Sequence, residues 1–418
     1  MPSLGRPLPP TRPRPCVDDA ARVPVDIVTM PGASPVSELS FELAGPRATL
    51  ARDPARTRVG IVTCGGLCPG LNDVIRSLFL ELHYGYRVKE VLGFRFGYQG
   101  LDPARGAPPI VLTPEFVRDI HREGGTVLGT SRGPVDQAAA VDNLVRLGVD
   151  VLFTLGGDGT QRGASAFCEA AKARGHDLAV VGIPKTIDND VPFVSRSFGF
   201  LTAVEQAIHV LDCAHVEACS VENGVAVVKL MGRHAGFIAA AATVGNQDVN
   251  FCLVPEVRFA LQGEGGLLAS IARRLRARGH ALIVVAEGAG QELVGQPTGA
   301  RDASGNVKLA DIGVFLRDRI AAYCRAEGLP VTLRYMDPSY SIRSVPADGE
   351  DSIMCDRFAR CAAHAAMAGK TGIVIGLVHD QFVHVPIDVL TGRTKRLDEN
   401  GPIWQSVLSA TGQPARFE

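Results

Sequence analysis

Short apolar runs, each closed by glycines or acidic residues, recur along most of the chain. VLFTLGGDGT at 151–160 and DLAVVGIPKTIDND at 177–190 each contain a run rich in β-branched residues and too short for a helix. Each run gives way to small or charged residues where a buried strand would surface. The interval between them has helical spacing. TRVGIVTCGGLCPGLNDVIRSL predicts a strand over 58–63, a turn at Gly65 and Gly66, and a helix from about Leu71; KEVLGFRFGYQGL predicts a strand and a loop. GVAVVKLMGRHAG is a buried strand running out at Met231, Gly232 and Arg233. NFCLVPE at 250–256 is a shorter strand, GEGGLLASIARRLRARGH an amphipathic helix, and HALIVVAEGAG a strand ending at Glu287. VTLRYMDPSYSIR at 331–343, taken alone, is a surface loop, and residues 370–390 form a closing strand pair.

Strands alternating with helices predict an α/β chain with parallel sheets. Because the last strands must return to a sheet already built, the chain is expected to form two lobes with interleaved segments. No short-period repeat is present. Residues 1–55 are crowded with prolines and arginines and lack periodicity, which predicts an arm rather than a domain.

Composition narrows the function. A chain of 418 residues has ample material for two or three cores, and a formal charge of -1 argues against nucleic acid or an anionic membrane as partner. The ten cysteines are scattered without C-x-x-C pairing, so no zinc site is expected. No signal-peptide pattern appears, and the longest apolar runs, such as 237–244 and 281–286, are far too short to span a bilayer. A cytoplasmic protein with mostly reduced thiols is the expectation.

In an open parallel sheet, ligands sit beyond the carboxyl ends of the strands. Gly156, Gly157, Asp158, Gly159 and Thr160 would therefore share a crevice with Lys185, Thr186, Asp188 and Asp190. Phosphate suits this set: glycines let backbone N–H groups approach closely, and a helix start adds its positive end. Asp158, and with it Asp190, makes sense as a ligand of Mg2+, which takes oxygen donors. Asp188 is left as a base for a substrate hydroxyl. Either motif alone reads equally well as a turn or a capped loop end; two of them at neighbouring strand ends favour phosphate. Arg132, on the glycine-rich loop GGTVLGTSRG, can bridge phosphoryl groups, although a loop arginine is usually just solvated. Tyr98 could stack on a flat ring, but by itself is an amphipathic surface residue. Met231, Gly232, Arg233 and Glu287 fall where strands run out, as a second wall; Arg334, Tyr340 and Arg343 suit a sugar phosphate.

CGGLCPGLN, GGTVLGTSRG, GGDGTQRGA, PKTIDNDVPF, KLMGRHAGFIA, EGAGQE and DPSYSIRSVP, in this order over roughly 57–410, resemble the 6-phosphofructokinase family, in particular the branch that includes the plant ATP-dependent enzymes. The resemblance implies two Rossmann-like three-layer α/β/α domains with interleaved segments: 56–199 with 344–395 for the phosphoryl donor, and 200–343 with 396–418 for the sugar phosphate. It implies ATP-dependent phosphorylation of fructose 6-phosphate, with Mg2+, in a homotetramer or dimer. Asp188 would be the base, flanked by Thr186 and Asp190, and Asp158 would help place Mg2+. Gly66, Tyr98, Arg132, Asp158, Gly159, Thr160, Gly163 and Lys185 would line the donor site, Arg132 and Gly66 stabilising the transferring group. Met231, Gly232, Arg233, Glu287, Arg334, Tyr340 and Arg343 would hold the sugar phosphate. Such a site is what phosphoryl transfer needs, since positioning and charge stabilisation dominate it.

Donor identity turns on two positions. In the resembled family, glycine after the Gly-Gly-Asp aspartate leaves room for the α-phosphate of ATP and aspartate there favours pyrophosphate; here it is Gly159. Lys185 points the other way, since pyrophosphate enzymes carry lysine at the matching position. Three departures stand out: Gly224 replaces an arginine that crosses to a neighbouring subunit, Tyr340 stands where histidine is common, and of the basic effector-site residues only Arg76 is matched. Gly-Gly-Asp-Gly-Thr also occurs in NAD and lipid kinases, which lack the Thr-Ile-Asp-Asn-Asp and Tyr-x-x-Arg elements. A non-catalytic subunit of the same fold would be marked by loss of Asp188 or Arg132, and both are present.

Overall fold

The computed structural model describes residues 15–28, 39–295 and 307–418. The chain divides into two compact units, one of Met1–Thr186, Val191–Gly199 and Ser344–Arg393, the other of Ile187–Asp190, Phe200–Arg343 and Thr394–Glu418. One crossing thus falls inside PKTIDND, between Thr186 and Ile187. The first seven strands are β1 (Arg22–Pro24), β2 (Ser40–Leu43), β3 (Arg58–Thr63), β4 (Glu90–Gly93), β5 (Ile110–Val111), β6 (Val151–Gly156) and β7 (Ala179–Pro184). There follow β8 (Gly224–Leu230), β9 (Phe251–Leu253), β10 (His280–Ala286), β11 (Thr332–Met336), β12 (Ile373–Val378) and β13 (Gln381–Pro386).

The first unit is built on a sheet ordered β1-β2-β13-β12-β7-β6-β3-β4-β5. Its heart, β12-β7-β6-β3-β4, is parallel, and antiparallel strands finish both margins. Every residue of β6, β7 and β12 is buried, which is why these strands read as unbroken apolar runs. From β3 the chain goes to β4 on one side, and later returns as β6 on the other. The sheet order therefore switches direction between β3 and β6, the position where an open α/β sheet leaves a ligand crevice at its carboxyl edge.

The expected arm is corrected by this sheet. Of residues 1–55, those described include β1 and β2, and β2 pairs with β13 through Leu43 opposite Val383 and Glu42 opposite His384. Glu42 is buried, yet His384, Lys370 and Arg47 surround it, with Lys370 Nζ at 2.7 Å and Arg47 Nη2 at 2.8 Å. Burial works to raise its pKa, but the close approach of these three residues holds it well below the usual carboxylate range. The strands were hidden because each is only a few residues long and flanked by prolines.

The second unit carries an all-parallel sheet ordered β11-β8-β10-β9. Val225, Val227, Ile283 and Val285 pack with Leu267, Ile271 and Leu275 of the helix Leu267–Arg278 and with Ile312 and Leu316 of the helix Ile312–Ala326. VTLRYM is an edge strand rather than a loop, with Arg334 opposite Ala226. Its residues are only half-buried, so it lacks the apolar run that marks the interior strands. The opposite edge is covered near the carboxyl end of the chain, where the Gln413 side chain bonds both N and O of Cys252, at 2.7 and 3.2 Å. No disulfide joins cysteines among the described residues, and no helix among them is long and apolar enough to cross a membrane.

Candidate active site

Within the first unit, three segments meet at the carboxyl edge of β3, β6 and β7. After Thr63 the Cys64 N–H still donates to Leu155 O at 2.9 Å, and the chain then turns through Gly65 at φ 84°. Gly65 N–H donates to Ser131 O at 3.1 Å, Thr130 Oγ1 donates to Gly65 O at 2.7 Å, and Thr63 Oγ1 donates to Gly129 O at 2.7 Å. Asn72, fully buried, completes the seam: its Nδ2 donates to Glu123 O and its Oδ1 accepts from Val127 N, both at 2.9 Å. The irregular stretch 123–132 is thereby fastened beside Gly65 and Gly66, and Arg132 stands exposed on it.

At the next strand, Gly157 caps the helix Asp158–Ala173 without a side-chain bond, which leaves the first helical N–H groups for an incoming anion. Asp158 is exposed and pairs with Arg162 one turn on, at 3.0 Å. Such a solvated i,i+4 pair holds a carboxylate weakly, so Asp158 can turn toward a cation. The glycines here differ in purpose. A Cβ on Gly156 would lie 2.1 Å from Thr160 Oγ1, whereas one on Gly159 would meet nothing nearer than Arg162 Nη2 at 3.9 Å. Gly156 is required by packing, and Gly159 is not. Buried Lys185 donates its N–H to Gly156 O at 3.1 Å, and buried Gln161 donates Nε2 to the same carbonyl at 3.0 Å.

Tyr98 corrects another expectation. It lies in the 3-10 helix Gly97–Leu101, 9% exposed, with its ring 4.9 Å from that of Phe167 and its hydroxyl donating to Thr160 O at 2.7 Å. It is neither a surface residue nor an open stacking face. Gly163 makes room for it, since a Cβ there would come within 2.6 Å of Tyr98 Cε2. Tyr98 and Gly163 are thus supports beneath the start of the helix.

In the second unit the carboxyl edge is lined by charge. Gly232, at φ 133°, cannot carry a side chain because a Cβ would fall 2.6 Å from Ala235 O. Glu287 N–H donates to Leu230 O at 2.9 Å and Gly288 N–H to Gly232 O at 3.1 Å, which seats the Glu287 turn against Met231–Arg233. Burial raises the Glu287 pKa, while Arg233, Lys229 and Arg343 act to lower it. Arg233 donates to the Val307 carbonyl. Lys229 is fixed between Asp337 at 2.8 Å and Asp311 at 3.0 Å. Arg343 lies 5.0 Å from the centre of the exposed Tyr340 ring, and its buried Nε has no partner among the described residues. Arg334 is exposed on β11, 3.3 Å from Glu217. A Cβ on Gly224 would lie 2.0 Å from Ala218 O, so the backbone here admits no side chain.

Thr186 ends the first unit's part of PKTIDND, its carbonyl accepting from the buried Ser197 Oγ at 2.8 Å. Asp188 and Asp190 flank Asn189, which is buried with φ 54°; asparagine is among the few side chains that tolerate this left-handed conformation. Lys395, which sequence reasoning missed, fixes the turn. Its N–H donates to Asp190 O at 2.8 Å and its Nζ to Asn189 Oδ1 at 3.0 Å, with Nζ 5.1 Å above the Phe237 ring. Burial lowers its pKa to about 8 against the opposing pull of Asp190. Asn72 was missed because it acts through Glu123 and Val127, distant in sequence, and Gln161 because nothing local marks its amide as the partner of the Gly156 carbonyl. Only their amide side chains beside glycine motifs could have drawn notice.

Comparison with known proteins agrees with this architecture. The Phosphofructokinase family matches residues 58–366. The chain is 53% identical over 384 residues to an ATP-dependent 6-phosphofructokinase of Amycolatopsis methanolica, covering 90% of this chain and 83% of that protein. It is 45% identical over 403 residues to ATP-dependent 6-phosphofructokinase 1 of Arabidopsis thaliana, covering 96% and 84%. Among solved structures, a pyrophosphate-dependent phosphofructokinase from Marinobacter aquaeolei is similar with a TM-score of 0.69 at 19% identity, over 85% of this chain and 91% of that one. A likeness at that identity bears on the fold alone.

Proposed function

The chain belongs to the phosphofructokinase family, and from that premise we propose that it transfers the terminal phosphoryl group of ATP to the 1-hydroxyl of D-fructose 6-phosphate, giving fructose 1,6-bisphosphate. The observation that carries the choice of donor is Gly159. The fold does not need a glycine there, since a Cβ would meet open space, so the missing side chain serves the ligand. Space beside Asp158 is what the bulkier triphosphate requires.

In this reading the N–H groups at Gly66 and at the start of the helix Asp158–Ala173 receive the phosphate chain, and Arg132 bridges the transferring group. Asp188 accepts the proton of the attacking hydroxyl, with Thr186 and Asp190 holding the substrate beside it. Arg343 and Arg334 take the sugar's own phosphate, with Tyr340 against it, while Met231, Gly232, Arg233 and Glu287 receive the carbohydrate body. Burial favours a protonated Glu287 able to donate to a sugar oxygen, although the nearby cations oppose this. Asp158 fits Mg2+, being an exposed hard oxygen donor held only by a solvated ion pair. When bound, Mg2+ would supply charge neutralisation on the phosphate oxygens. The proposal extends to a homo-oligomer, a tetramer or dimer, acting in the cytoplasm on small molecules.

A second reading, with pyrophosphate as donor, is favoured by one observation, the buried Lys185 next to Gly156. The two are separated by assaying fructose 6-phosphate with Mg2+ and either ATP or pyrophosphate. Turnover with ATP and little with pyrophosphate is expected. Appreciable turnover only with pyrophosphate would reverse the choice.

A further inference from the structure

We propose that His215, Cys219 and His280 form a binding site for a borderline-soft divalent cation, with Zn2+ the best match, at the end of the second unit's sheet opposite the substrate-binding residues. His215 and Cys219 lie one turn apart near the end of the helix Phe200–Cys219, so both project from one face. His280 is the first residue of β10. One ligand atom from each of the three lies within 4.8 Å of the others, and among the described residues this is the only group of three or more His, Cys, Asp or Glu side chains so gathered. Bond lengths of about 2.0 Å to nitrogen and 2.3 Å to sulfur put tetrahedral ligands roughly 3.5 Å apart. His215 Nε2 and Cys219 Sγ are already at 3.4 Å.

One detail points to a ligand. The His280 Nδ1 lies 3.2 Å from the Arg278 carbonyl, a contact that commits it as a donor and leaves Nε2 with its lone pair, the arrangement a backbone carbonyl imposes on metal-ligating imidazoles. Asp248 is exposed and adds negative charge felt by both Cys219 and His280, and a water can fill the fourth position; Arg274, which donates to the His280 carbonyl at 3.2 Å, opposes the cation and favours the thiolate. Two imidazoles and a thiolate select zinc over magnesium. The site escapes cysteine arithmetic because only one ligand is a cysteine and a second comes from a strand far along the chain. β10 separates it from Glu287 by about 23 Å, at roughly 3.3 Å per residue.

The test is titration of the full chain with Co2+ followed by its absorption. One equivalent should give tetrahedral bands in the visible and a thiolate-to-cobalt charge-transfer band in the near ultraviolet. Both should be lost in Cys219→Ser and displaced by one equivalent of Zn2+. They should persist in Cys213→Ser, which removes a neighbouring exposed thiol, and in Asp158→Asn. Independently, Zn2+ should protect Cys219 but not Cys213 from alkylation mapped by mass spectrometry. This second readout uses the unaltered protein and so does not depend on a variant folding. A charge-transfer band that survives Cys219→Ser, a purely octahedral spectrum, or equal alkylation of both cysteines with and without Zn2+ would overturn the site.

Discussion

Under the proposed function, the carboxyl edges of the two sheets would solve recognition with different materials. The edge at β3, β6 and β7 is made largely of backbone: a glycine turn at Gly65, the strand-end Gly156, and a helix start at Gly157 with no side-chain cap. The edge at β8 and β10 is made of charged side chains, with Lys229 clamped by Asp311 and Asp337 and with Glu287 under the influence of Arg233 and Arg343. Backbone N–H groups cannot be moved by rotamer changes, so the first edge discriminates by shape: what fits is decided by which Cβ atoms are absent. Side chains at the second edge each answer one polar group of a ligand, so it discriminates by chemistry. Removing an edge residue should then have opposite signatures, a change of donor preference in one unit and loss of affinity for one substrate group in the other.

The largest effect is expected where neither material suffices and a proton must move. Asp188→Ser should lower kcat by a factor of 10² to 10⁴ or more, as for loss of a positioned base with its alignment, while calorimetry still shows near-normal binding of fructose 6-phosphate. Retained turnover would remove Asp188 from its role and leave the second edge as a binding surface only.

A sharper test of recognition by shape lies within the first edge. Gly156→Ala must displace the Thr160 side chain, an overpacking that costs about 1–3 kcal/mol and should lower Tm. Gly159→Asp enters open space and should leave stability within about 0.5 kcal/mol, yet lower turnover with ATP by roughly 10²-fold. If Gly159→Asp destabilises the fold as Gly156→Ala does, Gly159 is structural and the argument for ATP from that position fails.

The same contrast explains what could be read beforehand. β3 is legible to the residue, and β6 and β7 as strands within their stretches, because strands buried on both faces leave continuous apolar runs. β11 reads as a loop in the sequence because an edge strand half in water has no such run. β1 and β2 escape notice because each is only a few residues long and β2 joins the main sheet only when β13, far along the chain, arrives. Tyr98 was misread since its burial depends on Gly163 and Phe167, which no local pattern connects to it. Glycine motifs announce themselves in sequence; the amides and cations that hold them do not, and Asn72, Gln161 and Lys395 are of that kind.

Lys395 offers the smallest effect and the most specific signature. It supplies a hydrogen bond to Asn189 Oδ1 and a positive charge toward Asp190, and these can be separated by pH. Burial sets its pKa at about 8, so between pH 7 and 9 the charge disappears while an N–H for Asn189 remains. The unaltered protein should therefore show a shallow alkaline decline in kcat near pH 8. Lys395→Met removes the bond as well, frees the left-handed turn at Asn189, and should lower kcat by roughly tenfold, below the hundredfold cost of a gross misplacement, and abolish that decline. Stability carries its own sign. Because the folded state releases this proton more readily than the unfolded chain, whose lysine titrates near 10.5, the folded protein binds fewer protons between about pH 8 and 10.5. Lys395 therefore contributes increasingly to stability as pH rises through that window, and below pH 8 its buried charge costs. Urea unfolding of protein and variant at both ends of the window should show the stability of the protein relative to the variant rising with pH. An unchanged relative stability, or an alkaline decline that persists in Lys395→Met, would mean that the turn is held by its backbone alone.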